Sequence, residues 1–392
     1  MAKTKTSKKT KQTMAKETPE QLYAAAIELV EQSSPEEALK KAKKLWLQVQ
    51  NGSVTEALPA LNLLGEISIE LGDGDGARGY FKKAVALDPS GEIPEAMGGG
   101  AEKFLWLAQL CEEGGQASVD WFERGVKALQ VEIAAIEGGK VKGYDEEALL
   151  MMRVEKKRKL ATALCGIVEV YMTDLSWEDD AEAKCDSLVM EAMTVEDETS
   201  PEVLQTLASV RLSQLRKDDA RAALTRSLQG WIDLDPEDSA VPDFATRVSL
   251  ARLLMEAEME DEAMQVLHRL VADDDQSVEA WYQGGWCQYL IAEKMQDSSK
   301  AGKGGDGADS DFVVVALTGS RNWLKMALKL YDLLEYEDER LSEHAKSIAA
   351  DLDQRLGPDE KQDGEDEEFE EWGGIEDSEA GAENEDEVMQ DL

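Results

Sequence analysis

Two histidines, four cysteines and one glycine-rich run are the obvious places to look for catalysis or metal binding in this 392-residue sequence. His268 lies between Leu267 and Leu270 in a helical pattern, and His344 sits beside Glu343 with Lys346 nearby. Neither has a Cys or His at ligand spacing, so a zinc or iron centre is not indicated. Cys111, Cys165, Cys185 and Cys287 are far apart and form no Cys-x-x-Cys pair. The sequence shows no secretory leader pattern and no apolar run of about 20 residues, the length needed to cross a bilayer. Together these predict free thiols in a reducing compartment, cytoplasm and nucleus. The run Gly302-Lys303-Gly304-Gly305-Asp306-Gly307 lacks phosphate-loop spacing, and Asp306, Asp309 and Asp311 crowd it with negative charge. No Gly-x-Ser-x-Gly elbow occurs either. The expectation is a protein that is not an enzyme and that takes no cofactor and no metal.

The carboxylates offer a different chemistry, the pairing of many weak acids with Lys and Arg of a partner. Asp and Glu number 83 against 42 Lys and Arg, for a net charge of −41. Such a field repels bare nucleic acid and anionic membranes and steers basic partners in. The excess is unevenly spread. Residues 1–16 carry six lysines and no acid, residues 357–392 carry 17 acids and one lysine, and the segment between still has a net charge of −31. Both ends lack the apolar surface to offset chain entropy and are predicted to be disordered. The first arm, with Lys3, Lys5, Lys8, Lys9 and Lys11, reads as a solvated terminus, a nuclear import signal or a phosphate-contacting arm. Lys156-Lys157-Arg158-Lys159 reads as a solvated helix face or as an import motif.

Helices must position these groups, because helical spacing dominates from Glu20 to about Leu356 and strand-like alternation is nearly absent. The helices repeat. Leu58 to Pro89 orders Leu61, Leu64, Gly65, Ala77, Phe81, Ala84 and Pro89 in a way that resembles the tetratricopeptide repeat. Small residues twelve apart recur as Ala26/Ala38, Ala208/Ala220 and Ala251/Ala263, each pair letting two helices approach closely. Looser units start at Phe104, Leu164 and Trp281. The expected fold is therefore all-α: about seven tetratricopeptide-like repeats in a right-handed superhelical solenoid, closed by a C-terminal capping helix with an apolar stripe Leu341, Ala345, Ile348, Leu352 and Leu356. The expected organisation is a basic arm at 1–18, one elongated repeat body at 19–356 with a mobile insertion near 296–311, and an acidic tail at 357–392.

Resemblance to the repeat family implies a concave surface lined by the first helix of each repeat. That register selects Tyr23, Ile27 and Glu31, then Asn62, Glu66, Ile69 and Glu70, then Glu102, Leu105, Glu112 and Glu113. Glu169 and Glu256 follow, and the last repeat offers Glu279, Tyr282, Trp286 and Tyr289. These residues form an acidic groove with aromatic interruptions or, for the glutamates, ordinary solvated helix positions. Trp286 and Tyr289 read equally as core under the capping helix. A groove of this kind suits a basic, extended segment, whose cations pair with glutamates and stack on aromatic faces. Tyr23, Asn62 and Leu105 stand where relatives that hold the acidic tails of heat-shock chaperones carry a Lys/Asn clamp, so those tails are not the expected ligand.

The lysine-rich start, the degenerate repeats, the stretch Leu164-Cys165-Gly166-Ile167-Val168-Glu169-Val170-Tyr171-Met172-Thr173-Asp174-Leu175-Ser176-Trp177-Glu178 and the acidic end with Glu370-Glu371-Trp372-Gly373 occur together. In this combination the chain resembles the fungal family of dedicated assembly chaperones of large-subunit ribosomal protein uL4. The resemblance implies that the groove captures the long basic internal loop of uL4 and keeps the client soluble. It also implies escort to the nuclear pre-60S particle with nuclear import receptors as further partners, and no direct contact with nucleic acid or membrane. An acidic histone chaperone and a structural repeat scaffold remain as alternative readings.

Overall fold

The computed structural model describes residues 17–196, 200–300 and 308–357. Regular secondary structure among them is entirely helical, as the periodicity predicts. The helices are α1 (Pro19–Glu31), α2 (Pro35–Val49), α3 (Val54–Glu70) and α4 (Gly74–Leu87). They continue with α5 (Glu102–Gln109), α6 (Gly115–Glu137), α7 (Glu146–Met172) and α8 (Ala181–Val195). Next come α9 (Pro201–Ser213), α10 (Lys217–Gln229), α11 (Phe244–Glu256) and α12 (Glu260–Asp273). The last are α13 (Val278–Lys300), α14 (Ala308–Leu333) and the single helix α15 (Glu339–Leu356). Seven antiparallel pairs and a terminal helix are thus resolved where the repeats were read.

Local chemistry starts these helices in the expected way. Thr18 and Gln21 form a capping box ahead of Pro19, and Ser53 with Glu56 forms another ahead of α3. Asp73, Asp145, Asp243 and Asp338 each accept a backbone N–H in the first turn of the helix that follows. Small residues sit where helices meet, since Ala26, Ala38, Ala208, Ala220, Ala251 and Ala263 are all fully buried. Gly65 is pressed against the ring of Phe81, into which any Cβ would collide. Gly65→Val is therefore expected to destabilise the fold by about 1–3 kcal/mol in denaturant unfolding. Gly79→Ala is the matched control. It lies in the same repeat with open space around it, and the change should gain up to about 1 kcal/mol of helix propensity.

The chain divides into two compact units, one ending at Gln276 and the other beginning at Ser277. In the first, each pair packs through its second helix onto the first helix of the next, and α9 also touches α7 and α11. The second unit holds α13, α14 and α15. The insertion expected near 296–311 is narrower than its composition suggested. α13 continues to Lys300 and α14 begins at Ala308, because the glycines that favour a loop start only at Gly302. The remainder of that insertion, the lysine arm at 1–16 and the acidic tail from residue 358 onward lie outside the described residues.

One irregular segment is firmly anchored. After α4, Asp88 accepts the N–H groups of Glu92 and Ile93 at 3.1 and 3.4 Å. Lys103, fully buried, donates to Asp88 at 2.8 Å and to the Gly100 carbonyl at 2.6 Å. This buried ion pair fixes the chain between α4 and α5, including a short 3₁₀ turn at Glu95–Met97.

Candidate functional site

The first helices of repeats 3 to 6 line a groove of about 1060 Å³ in the first unit. Glu102, Leu105, Trp106 and Gln109 come from α5, and Thr162, Cys165, Glu169 and Met172 from α7. Glu202, Gln205, Thr206 and Ser209 follow on α9, then Thr246, Ser249 and Arg252 on α11. The spacing explains why these residues share a wall. On α5, α7, α9 and α11 the residue after each small or buried packing position lines the groove, as Gln109 follows Ala108, Glu169 follows Val168, Ser209 follows Ala208 and Arg252 follows Ala251. The floor is apolar through Leu105, Phe122 and Met172. Cys165 is held there with its thiol pushed up to about 11 by burial, so it is not a nucleophile.

Basic residues of α7 are part of this site. Lys159 reaches Glu102 at 2.6 Å, Glu155 at 3.1 Å and Glu95 at 3.5 Å, and these carboxylates raise its amine above the ordinary range against the opposing effect of burial. Lys156, almost fully buried, bridges Glu95 at 2.5 Å and Glu132 at 2.8 Å. Arg158 lies 3.5 Å from Glu202, and Lys157 lies 3.7 Å from Glu137. All four cations of the Lys156–Lys159 run therefore have carboxylate partners within the chain, so the run clamps neighbouring helices to α7.

Of the residues selected by the repeat register, Glu102, Leu105 and Glu169 line the groove. Tyr23, Glu66 and Glu70 gather on the neighbouring first helices α1 and α3. Glu66 acts electrostatically on Tyr23, and burial followed by the charges of Glu102 and Glu70 raises its carboxyl above the usual range, with Lys159 opposing. Glu169 is exposed and enters no ion pair among the described residues. Glu31 and Glu256 are the exposed last residues of α1 and α11 and do not belong to the groove lining.

The expectations for Asn62, the Glu112/Glu113 pair and Tyr282 are corrected, while Trp286 and Tyr289 take the core place that was their alternative reading. Asn62 does not offer a free amide, because its Nδ2 donates to the Gly98 carbonyl at 2.9 Å and anchors the segment after α4. Glu112 and Glu113 lie past the end of α5, in a turn imposed by Gly114 and Gly115, both at positive φ. Glu112 there pairs with Arg78 at 2.5 Å, and Glu113 accepts from Cys111. In the second unit, Tyr282, Trp286 and Tyr289 pack against α15, with Ala345, Ile348 and Leu352 in the same core. Tyr282 shares a 2.7 Å hydrogen bond with His344, and Tyr289 donates to Asp351 at 2.9 Å. The capping helix covers the apolar face that these aromatics would otherwise have presented. Glu279 of α13 is exposed and accepts from Gln283.

The groove residues that the register reading passed over are Glu202, Gln205, Thr206, Ser209, Ser249 and Arg252. Glu202, Gln205, Ser209 and Arg252 sit at the repeat positions of Glu102, Leu105, Glu66 and Glu169, so the register extends to them, whereas Thr206 and Ser249 sit one position further along than Leu105. Among the described residues no cluster of His, Cys, Asp or Glu is placed to hold a metal ion, and no helix is long and apolar enough to cross a membrane.

Paired helices with small residues at their crossings and a groove built from first helices define a tetratricopeptide-type repeat protein. No family model matches the sequence. A protein of Emericella nidulans named a probable assembly chaperone of rpl4 is 46% identical over 366 residues, covering 92% of this chain and 89% of the relative. A Schizosaccharomyces pombe protein of the same name is 35% identical over 313 residues, covering 80% of this chain and 84% of its own. The solved structure of an assembly chaperone of RpL4 (Acl4, residues 1–338) is 47% identical with a TM-score of 0.66, covering 72% of this chain and 99% of that one. The chain belongs to the family of assembly chaperones of rpl4.

Proposed function

We propose that this chain is a dedicated chaperone of ribosomal protein L4, not an enzyme, and that it holds the client's long basic internal loop in the groove of its first unit. The observation that carries the reading is similarity to chaperones of rpl4 along nearly the whole chain. The groove supplies the chemistry. Glu66, Glu70 and Glu169 present carboxylates to solvent, while Leu105, Phe122 and Met172 offer an apolar floor for anchoring side chains. Individual exposed pairs contribute about 0–1 kcal/mol, so capture depends on several of them together with an apolar anchor. Masking the client's lysines and arginines keeps it from stray RNA. Release follows in the nucleus, where ribosomal RNA at the assembling large subunit competes for the same charges. The lysine arm, with Lys3, Lys5, Lys8, Lys9 and Lys11, serves import receptors in this reading, and the protein works in both cytoplasm and nucleus.

The test is purification of the full chain with its bound partner at physiological salt. Ribosomal protein L4 should co-purify in stoichiometric amount. It should dissociate as salt rises toward 1 M, where the screening length falls from about 8 Å to about 3 Å. Recovery of core histones in place of a ribosomal protein would overturn the proposal.

A further inference from the structure

We infer that the groove is polarised along its length and thereby fixes the direction in which the client lies. The inference rests on the proposed function and concerns the same site. The residue after each packing position changes in charge from repeat to repeat: Glu66 in the second, Gln109 in the third, Glu169 in the fourth, Ser209 in the fifth and Arg252 in the sixth. One end is anionic, through the exposed Glu66 and Glu70 on α3 and Glu169 on α7, while Glu102 is held by Lys159 at 2.6 Å. The next helix, α9, contributes neutral donors and acceptors, Gln205, Thr206 and Ser209, while its Glu202 is neutralised by Arg158. At α11 the wall carries Arg252, exposed and in no ion pair among the described residues, beside Thr246 and Ser249.

Gln205 adds an independent sign that a chain lies here. It is only 6% exposed and lines the groove, yet its Nε2 has no hydrogen-bond acceptor among the described residues. An orphan buried donor is unfavourable, and the peptide carbonyl of a bound extended segment is the acceptor that would relieve it. A uniformly basic ligand would meet repulsion from Arg252. The ligand that fits has Lys or Arg against Glu66 and Glu70 of α3 and Glu169 of α7, plain backbone against Gln205, and a carboxylate side chain against Arg252. An acidic residue at one end of the client's basic stretch then sets register and orientation, because the reversed peptide places like charges together at both ends.

The experiment measures affinity of the full chain for a labelled peptide spanning the internal loop of ribosomal protein L4, at fixed salt. Glu169→Lys tests the groove itself and should weaken binding about tenfold. Arg252→Glu tests the polarity, and it should weaken binding by about three- to tenfold, whereas Arg252→Lys should bind as the parent does. An Asp/Glu→Lys scan of the peptide should then find one position whose loss is recovered by Arg252→Glu. Arg252 is exposed, and thermal unfolding of each variant verifies that the fold is unchanged. If Glu169→Lys weakens binding but Arg252→Glu leaves it unchanged or strengthens it, the groove stands and the polarity is wrong. If Glu169→Lys has no effect, the groove itself is wrong.

Discussion

Replacing Glu66, Glu70 and Glu169 together by lysine is expected to weaken capture of the basic client by about a hundredfold or more, with the helical fold intact. All three residues stand on the solvent-facing sides of the first helices of repeats 2 and 4, Glu66 partly shielded beside Tyr23, and none belongs to the apolar core. Reversal removes attraction at three points and adds repulsion, and desolvation on binding strengthens both effects relative to open water. Glu102 is left out deliberately, since Lys159 already holds it at 2.6 Å and its loss would unsettle α7. The same chemistry applied outside the groove gives the control. Glu112→Lys with Glu113→Lys changes charge in the turn after α5, where Glu112 serves Arg78, and should change client affinity by less than about threefold. Equal losses from both sets would mean that net charge, and not the groove, governs capture. Equilibrium binding by anisotropy or calorimetry separates these outcomes.

Lys103→Met is expected to cost about 3–5 kcal/mol of stability. Its amine is fully buried and pairs with an Asp88 carboxylate that is itself 3% exposed. Without the lysine, Asp88 still accepts from the N–H groups of Glu92 and Ile93 but loses its counter-ion in a dry site. For a unit of this size each kcal/mol lowers the melting temperature by about 2–4 °C, so the variant should melt about 6–20 °C lower. Adding Asp88→Asn should restore part of the loss, because the amide oxygen still accepts those N–H bonds without a charge. A singly substituted protein as stable as the parent would show that the pair is dispensable. The segment it secures carries Glu95 and Gly98, the partners of Lys156, Lys159 and Asn62, so this structural pair also sets the edge of the groove.

The repeats were legible because close packing demands small residues at fixed intervals. Ala26/Ala38, Gly65/Ala77, Ala208/Ala220 and Ala251/Ala263 therefore mark four helix pairs without reference to anything distant in the chain. The groove was legible only where that register is tight. In repeat 3 α5 ends at Gln109, and the turn leading to Gly114 and Gly115 carries Glu112 and Glu113 away from the wall that a longer helix would have reached. In the last pair a repeat position alone leaves Trp286 and Tyr289 open between groove and core, and the apolar stripe of α15 packing over them decides for core. The Lys156–Lys159 run shows the opposite failure. Read along the sequence it is a bare cationic cluster, yet its partners Glu95, Glu102, Glu132 and Glu202 arrive from other helices. Arg252 occupies the register position that Glu66 and Glu169 hold in repeats 2 and 4, and a register built on acids does not show the change of sign in repeat 6.

Photo-crosslinking from inside the groove tests most directly whether the client's basic loop lies there. A benzophenone side chain placed at Thr206 of α9, half-buried in the groove lining, should crosslink to the basic internal loop of ribosomal protein L4 in the purified complex. The same group at Val131 of α6, exposed and outside that lining, should give none. Crosslinks from Val131 with none from Thr206, or crosslinks from Thr206 only to parts of the client other than its basic loop, would contradict the assignment of this groove as the client site.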